Sequence, residues 1–383
     1  MSMKIAFEAL PLVSDKMTGI GWCEAGQTTA MAMLHPENKY FYQFFSRKDH
    51  DIKLRRIEPF TKINEDMVIQ CHFSEHSGYL YRMASTFIPV PYSRYFGKYA
   101  DITHFFNYIV PPGVSGRTVV TVHDMVLRAF PETVRTRTRL MLEFGLKKSV
   151  RRADMVVTDS EFSKSEIIRY YPECADKLRV VPCGTDLGRF RLHTPEEIAA
   201  AKKSCGIEGE YLLYVGTIEP RKNLERLIRA YGIAQEKMPG IPQLVLAGGR
   251  GWNDSGIYAA AEKAKNVRFT EYIPSEQLPG LMSGAAAFLF PSVYEGFGMP
   301  PLEAMASGTP VLTSDAASLP EVTGDCAVLC DPYSEESIAE GILRLCGDTA
   351  LRQELSRRGR ERAEGFTWER SAEILYDIYK ELV

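Results

Sequence analysis

Short apolar runs recur along the chain, separated by longer stretches with helical spacing. In the first half they are KIAFEAL from Lys4, YFYQFF from Tyr40, ITHFFNY from Ile102, TVVTVHD from Thr118, MVVTDS from Met155 and LRVVPCG from Leu178. In the second half they are YLLYVG from Tyr211, QLVLAGG from Gln243, VRFTEYI from Val267, AAFLFPS from Ala286 and PVLTSD from Pro310. Strands that are apolar at nearly every position are covered on both faces. Their alternation with helices predicts parallel α/β sheets, with enough strands in each half for a sheet of its own.

Between the halves, Gly184 to Gly209 is rich in charged residues, Gly and Thr-Pro, and no strand is expected there. At the end, Ile374, Leu375, Ile378, Tyr379 and Leu382 give Trp368 to Val383 a helical apolar stripe. The expected organisation is therefore a doubly wound domain over 1–190, a second over 191–365, and a closing helical segment over 366–383. Ligands of such sheets bind beyond the carboxyl ends of the strands, so the loops that follow strands carry the chemistry. Two such domains facing each other imply a cleft.

The most informative loop follows AAFLFPS, where the sequence reads FPSVYEGFGMPPLEAMASGTPVLTSD from Phe290. A helix is expected to start near Met299, with Pro300 in its first turn, where a missing N–H costs nothing. Gly296 and Gly298 allow a ligand to approach the backbone. The helix N-terminus offers N–H groups and a positive dipole end to phosphate. Glu295 lies at the lip of the turn. Glu303 lies about one turn into the helix, where a carboxylate can accept two sugar hydroxyls. A tight turn whose glycines serve packing alone is the bland alternative, and it leaves the paired acids unexplained.

This segment resembles the motif of retaining GT-B glycosyltransferases of family 4, a Glu, seven residues and a second Glu, opening with E-G-F-G. The likeness covers nearly the whole C-terminal half and, more loosely, the first. It implies a GT-B fold, with the nucleotide-sugar donor on the C-terminal domain and the acceptor on the N-terminal one. The last helix would cross back to the first domain. It further implies that Glu295 contacts the donor sugar or supports the reacting centre. The backbone of Gly296, Phe297, Gly298 and Met299 would meet sugar and phosphate, and Glu303 would hold the ribose.

A departing diphosphate gains negative charge, and fixed cations aimed at it lower the barrier. Arg221 and Lys222, in the loop after YLLYVG, suit that task with a planar fork and a point charge. Cations at a helix start oppose the dipole, which favours a functional role over a solvated pair. Lys222 matches the family lysine. Many relatives carry an Arg directly after the strand glycine, Gly216, where this chain has Thr217, so Arg221 is the candidate replacement. The G-T-I-E-P-R-K-N form is similar to the subgroup containing many mannosyltransferases. His123, followed by Asp124 at the end of TVVTVHD, matches a family His-Asp near the donor sugar; a structural histidine is the alternative. Gly19 and Gly21 resemble the family glycine loop that closes on the diphosphate, although G-x-G-x-x-G is absent. Ile273 matches the segment whose backbone reads the base.

Composition narrows the classes. The 383 residues carry a formal net charge of -3, which gives no global attraction to nucleic acid. The eight cysteines contain no C-x-x-C pair and read as reduced thiols of a cytoplasmic protein. No apolar run reaches the length of a spanning helix, and the first residues do not form a signal peptide. Asp49-His50-Asp51 has the D-x-D form of some metal-dependent transferases, but it sits in a polar run and reads as a solvated loop. His72, Glu75 and His76 match H-x-x-E-H, so a zinc peptidase with both histidines on one helix is an alternative from another class. A GT-B relative that binds without catalysis is a third.

The expectation is a hexosyl transfer with retention, needing neither cofactor nor metal, from GDP-mannose by resemblance, with UDP- and dTDP-sugars open. The acceptor is a glycan or a lipid-linked acceptor. Front-face attack is implied, with the leaving phosphate taking the acceptor proton. Finally, the segment from Val126 to Asp154 holds a local excess of Arg and Lys. A helix is expected from Val134 to Val150, its apolar side formed by Leu140, Met141, Phe144 and Leu146 and packed on the first sheet. The charge excess suggests peripheral contact with an anionic membrane, at the inner face of the cell membrane.

Overall fold

The computed structural model describes residues 2–15, 17–47, 49–63, 69–252, 254–270 and 273–383. The chain forms two compact units, Met1–Gly184 with Trp368–Val383, and Thr185–Thr367.

The first unit is built on seven parallel strands, β1 (Lys4–Glu8), β2 (Lys39–Phe45), β3 (Ile69–Ser74), β4 (Ile102–Phe105), β5 (Arg117–Thr121), β6 (Met155–Thr158) and β7 (Leu178–Val180). Their order is β3-β2-β1-β4-β5-β6-β7. Phe7 of β1 lies level with Tyr42 on one side and His104 on the other. Successive side chains leave a strand on opposite faces, so Val119 and Val120 enter different cores. One core gathers Ile5, Phe7, Tyr40, Tyr42 and Phe44, and the other Phe45, Phe105, Val120, Val122 and Val156.

The second unit repeats the plan with β8 (Tyr211–Val215), β9 (Gln243–Ala247), β10 (Val267–Thr270), β11 (Ala287–Phe290), β12 (Val311–Ser314) and β13 (Val328–Cys330), in the order β10-β9-β8-β11-β12-β13. Leu213 of β8 is level with Val245 and Phe288. In both units the strand order reverses beside the first strand, the switch point at which doubly wound sheets bind ligands.

The closing helix Trp368–Leu382 belongs to the first unit and packs on helix Gly19–Leu34. Its apolar stripe buries Leu375, Tyr376, Ile378 and Tyr379, and each such burial stabilises by roughly 1.5–3 kcal/mol. Trp368 lies directly on Gly26, where an added Cβ would fall 2.2 Å from the indole. Gln27 donates to Ser371 across the helix pair, and Asn38, beyond the end of helix Gly19–Leu34, donates to Tyr376.

Several expectations need correction. β3 and β13 were not read from the sequence. Both are edge strands, and the half-exposed pattern of IQCHFS and the brevity of VLC erase the apolar run. His72 lies on β3 and not on a helix. Its Nδ1 is 2.5 Å from the Tyr99 hydroxyl, and His76 bonds Ser74 instead of facing His72 across a helical turn. Asp49-His50-Asp51 begins helix His50–Thr61 and is not a loop; Asp49 accepts from Ser46 and pairs with Lys53. The basic helix runs Thr136–Arg152 and buries Leu142, Leu146 and Val150, leaving Leu140 and Phe144 outside. Gly145 and Ser149 decide that face. Gly145 lets Ile109 approach, and Ser149 accepts the Val110 N–H at 2.9 Å.

Candidate active site

The second unit gathers its charged residues at the carboxyl ends of β8 and β11. After β8, Arg221 and Lys222 lie on one 3-10 turn, and the chain then passes through Asn223 at φ 62. The Asn223 side chain donates to Pro291 O and Pro332 O, so it ties together the loops after β8, β11 and β13. Ser292 Oγ and Val293 N both donate to Arg221 O. Ser318 Oγ donates to the carbonyls of Glu295 and Phe297. The backbone of the turn is thus held from three sides.

Glu295 is buried and fully engaged. Its Oε1 accepts from Lys222 Nζ at 2.6 Å and from Ser292, and its Oε2 meets Arg221 at 2.8 Å. Arg221 also pairs with buried Glu219 at 2.8 Å and donates to Tyr294 O. Burial opposes the Glu295 charge, but Arg221 and Lys222 overcome it and hold the carboxyl down at about 2. For Lys222 burial dominates, with Arg221 adding to it, and its pKa is lowered despite Glu295. Two cations are therefore kept in place, without full solvation, by one carboxylate.

The turn ends at Gly298, φ 121, where an added Cβ would meet Leu319 at 2.8 Å. Helix Met299–Ala306 starts there with no acidic residue in its first turn and no side-chain cap; Pro300 and Pro301 carry no N–H, so of its first three residues Met299 alone offers an N–H to an anion. Gly296 and Phe297 are buried, and the Phe297 ring packs at Phe366, which leaves backbone as the part of Phe297 suited to a ligand. Met299 is half-buried. Glu303 is only partly exposed and carries no hydrogen bond or ion pair among the described residues. Desolvation raises its pKa to about 8, against the pull of Arg189.

Gly216, at the end of β8, closes on the β9 loop: a Cβ at Gly248 would fall 1.8 Å from Gly216 O. Thr217 is exposed. The Arg221 guanidinium is drawn to Glu219, Tyr294 and Glu295. Ile273 is half-buried in the loop after β10.

In the first unit, helix Gly19–Leu34 opens without a side-chain cap or an acidic first turn. Around Gly19 there is open space, whereas Gly21 is required by Met17, which an added Cβ would meet at 2.4 Å. His123 departs from the expected sugar contact. Its Nδ1 bonds Asp159 Oδ2 at 2.7 Å and its Nε2 bonds Phe106 O at 2.8 Å, so both ring nitrogens are spent on protein. Burial disfavours the charge, yet Asp159 keeps the ring protonated up to about 10.

Glu219, Asn223, Ser292 and Asp159 were missed in the sequence. Asp159 directly follows β6, and the rule that marked His123 at a strand end would have marked it too. Glu219 stands inside the G-T-I-E-P-R-K-N run. Asn223 ends the same run, and Ser292 stands three residues before Glu295 in the segment from Phe290.

The glycosyl transferases group 1 family matches residues 198–362, and glycosyltransferase family 4 matches residues 68–189. The O-antigen chain mannosyltransferase B of Escherichia coli is 35% identical over 286 residues, 73% of this chain and 74% of that protein. A D-inositol 3-phosphate glycosyltransferase of Saccharomonospora viridis is 30% identical over 290 residues, 71% of this chain and 65% of that protein. Among solved structures, Anabaena HepE in complex with UDP and glucose superposes with a TM-score of 0.73 at 18% identity, covering 99% of this chain and 100% of that one.

Proposed function

The chain belongs to the group 1 glycosyl transferases and has a GT-B fold of two Rossmann-like units, and from this premise we propose that it transfers mannose from GDP-mannose with retention of configuration. The observation that carries the reading is the Arg221–Glu295–Lys222 cluster set at the uncapped start of helix Met299–Ala306. The diphosphate lies at the Gly298 turn and the Met299 N–H, and Glu303, one turn on, accepts the ribose hydroxyls. As the bond from the anomeric carbon to phosphate breaks, Lys222 and Arg221 shift part of their pairing from Glu295 to the phosphate oxygens. The acceptor oxygen bonds the anomeric carbon on the same face, and its proton passes to the departing phosphate. The cations come from side chains, so no divalent ion enters the chemistry. His123 contributes through Asp159 and the end of β5, not through a free ring nitrogen. Mannose rests on the mannosyltransferase relative.

Incubation with GDP-mannose, UDP-glucose and dTDP-sugars after exhaustive EDTA treatment, followed by NMR of the product, tests this. Transfer from GDP-mannose giving an α-linked product is expected. A β-linked product, or activity that returns only with manganese or magnesium, overturns it.

We further infer a glycan or lipid-linked acceptor at the inner face of the cell membrane. No described helix is long and apolar enough to cross a membrane. On helix Gly78–Phe87, however, Leu80, Met83 and Phe87 are exposed on one side, beside outward-facing Leu140 and Phe144. The Phe87 and Phe144 rings are 5.8 Å apart, and exposed Lys147 and Lys148 flank them. An apolar patch edged by lysines suits an anionic bilayer. Salt-sensitive co-sedimentation with phosphatidylglycerol vesicles, weakened in Phe87→Ser, is expected. Equal recovery with neutral vesicles would count against it.

A further inference from the structure

Beneath the start of helix Gly19–Leu34 lies a group that the transfer chemistry does not use. Cys23 of that helix, Cys183 after β7 and Asp159 after β6 are all buried, and their ligand atoms lie within 4.8 Å of one another. The two Sγ atoms are 3.5 Å apart. Asp159 is 4% exposed, its carboxylate faces the Cys183 thiol, and its Oδ1 meets no standard hydrogen-bond donor among the described residues. Its other oxygen is held by His123 Nδ1 at 2.7 Å.

A disulfide brings its sulfurs to about 2.05 Å. Two thiolates on one tetrahedral zinc, each about 2.3 Å from the metal, stand about 3.8 Å apart. The observed spacing is near the second value. A buried carboxylate oxygen within 4.8 Å of both sulfurs supplies a third corner. The His123–Asp159 bond is the outer-shell contact that commonly orients a metal-binding carboxylate. Sulfur donors select a soft or borderline cation over magnesium or calcium.

We propose that Cys23, Cys183 and Asp159 form a binding site for Zn²⁺ or a similar thiophilic divalent cation. Each cysteine binds as thiolate and releases its proton to solvent. The ion joins the start of helix Gly19–Leu34 to the ends of β6 and β7, and so braces the glycine turn from behind. It takes no part in glycosyl transfer, and its test does not depend on the donor assignment.

The experiment uses the full chain, chelated and kept reduced, with Cd²⁺ alone added and thiolate-to-metal absorption recorded. Zn²⁺ alone is then titrated by calorimetry in two buffers of different ionisation enthalpy. One ion per chain, with about two protons released, is expected. Cys23→Ser and Cys183→Ser should each weaken binding at least tenfold while their far-ultraviolet circular dichroism stays unchanged. Zn²⁺ should raise the melting temperature of the parent protein but not of the double variant. Should either serine variant fail to fold, Cys183→Ala carries the same expectation. Absence of the absorption in the reduced parent, or its full persistence in the double variant, overturns the site.

Discussion

The two units wind their strands in the same order but finish their carboxyl ends with different chemistry. In the second, Arg221, Lys222, Glu219 and Glu295 alternate in sign, and every member of the group faces another. In the first, the carboxyl ends carry two buried ion pairs, Glu8–Arg82 and His123–Asp159, the latter accompanied by two thiols. The second unit's group can trade an internal partner for a ligand phosphate without creating an isolated charge. The His123–Asp159 pair cannot, since both His123 nitrogens are committed. Identical topology thus supports one end built to exchange partners and one built to hold still.

The sharpest way to break this comparison is to remove His123. His123→Ala strands Asp159 as a buried charge, and stability should fall by about 3–5 kcal/mol in urea unfolding. The pH dependence has a defined sign. The folded pKa of about 10 lies above the ordinary 6.5, so the stabilisation is complete below pH 6.5 and fades as pH rises toward 10. Variant and parent should therefore differ most in acid and converge in alkali. A constant difference across that range would mean that packing, not the ion pair, is lost.

Next in size is Lys222→Ala. Its charge meets a partner that grows more negative toward the transition state, so kcat should drop about 10²–10³-fold with smaller change in donor affinity. A raised KM with kcat intact would take Lys222 out of the chemistry.

Glu303→Gln should weaken GDP binding about tenfold, as one hydrogen bond to a charged group is lost. In the parent, ribose hydroxyls that favour the ionised carboxyl should make GDP affinity rise with pH up to about 8. Calorimetry that finds the same pH profile in the glutamine variant would reassign Glu303. Smallest of all, His76→Gln should alter stability by no more than about 0.5 kcal/mol, as expected for an exposed side chain away from the sites. A larger loss in thermal unfolding would show an unrecognised role for that histidine.

Much of this was legible in the sequence. Central strands such as FLF and LLYV are buried on both faces and announce themselves as apolar runs. Edge strands β3 and β13 are half solvated and do not. The turn from Glu295 to Glu303 was readable because its glycines, proline and acids are local in sequence. What Glu295 touches was not, since Arg221 and Lys222 reach it from the loop after β8. The buried face of helix Thr136–Arg152 was readable only in part, Leu146 being buried and Met141 packed on the core as expected. Leu140 and Phe144 look like core by composition, but Gly145 and Ser149 select the neighbouring stripe through contacts with residues 109–110.

The packing of Trp368 on Gly26 has a bearing on how the chain is made. A ribosome delivers the first unit's sheet long before it delivers the helix that covers Ile5, Tyr40 and Tyr42. Until that helix emerges, this core lacks Ala372, Leu375, Ile378 and Tyr379 and helix Gly19–Leu34 lacks its partner, while the second unit already has all its parts. Maturation therefore runs out of chain order, with the unit begun first completed last. A stop codon near residue 367 would leave the motif from Glu295 to Glu303 intact and yet send an aggregation-prone protein into the cell.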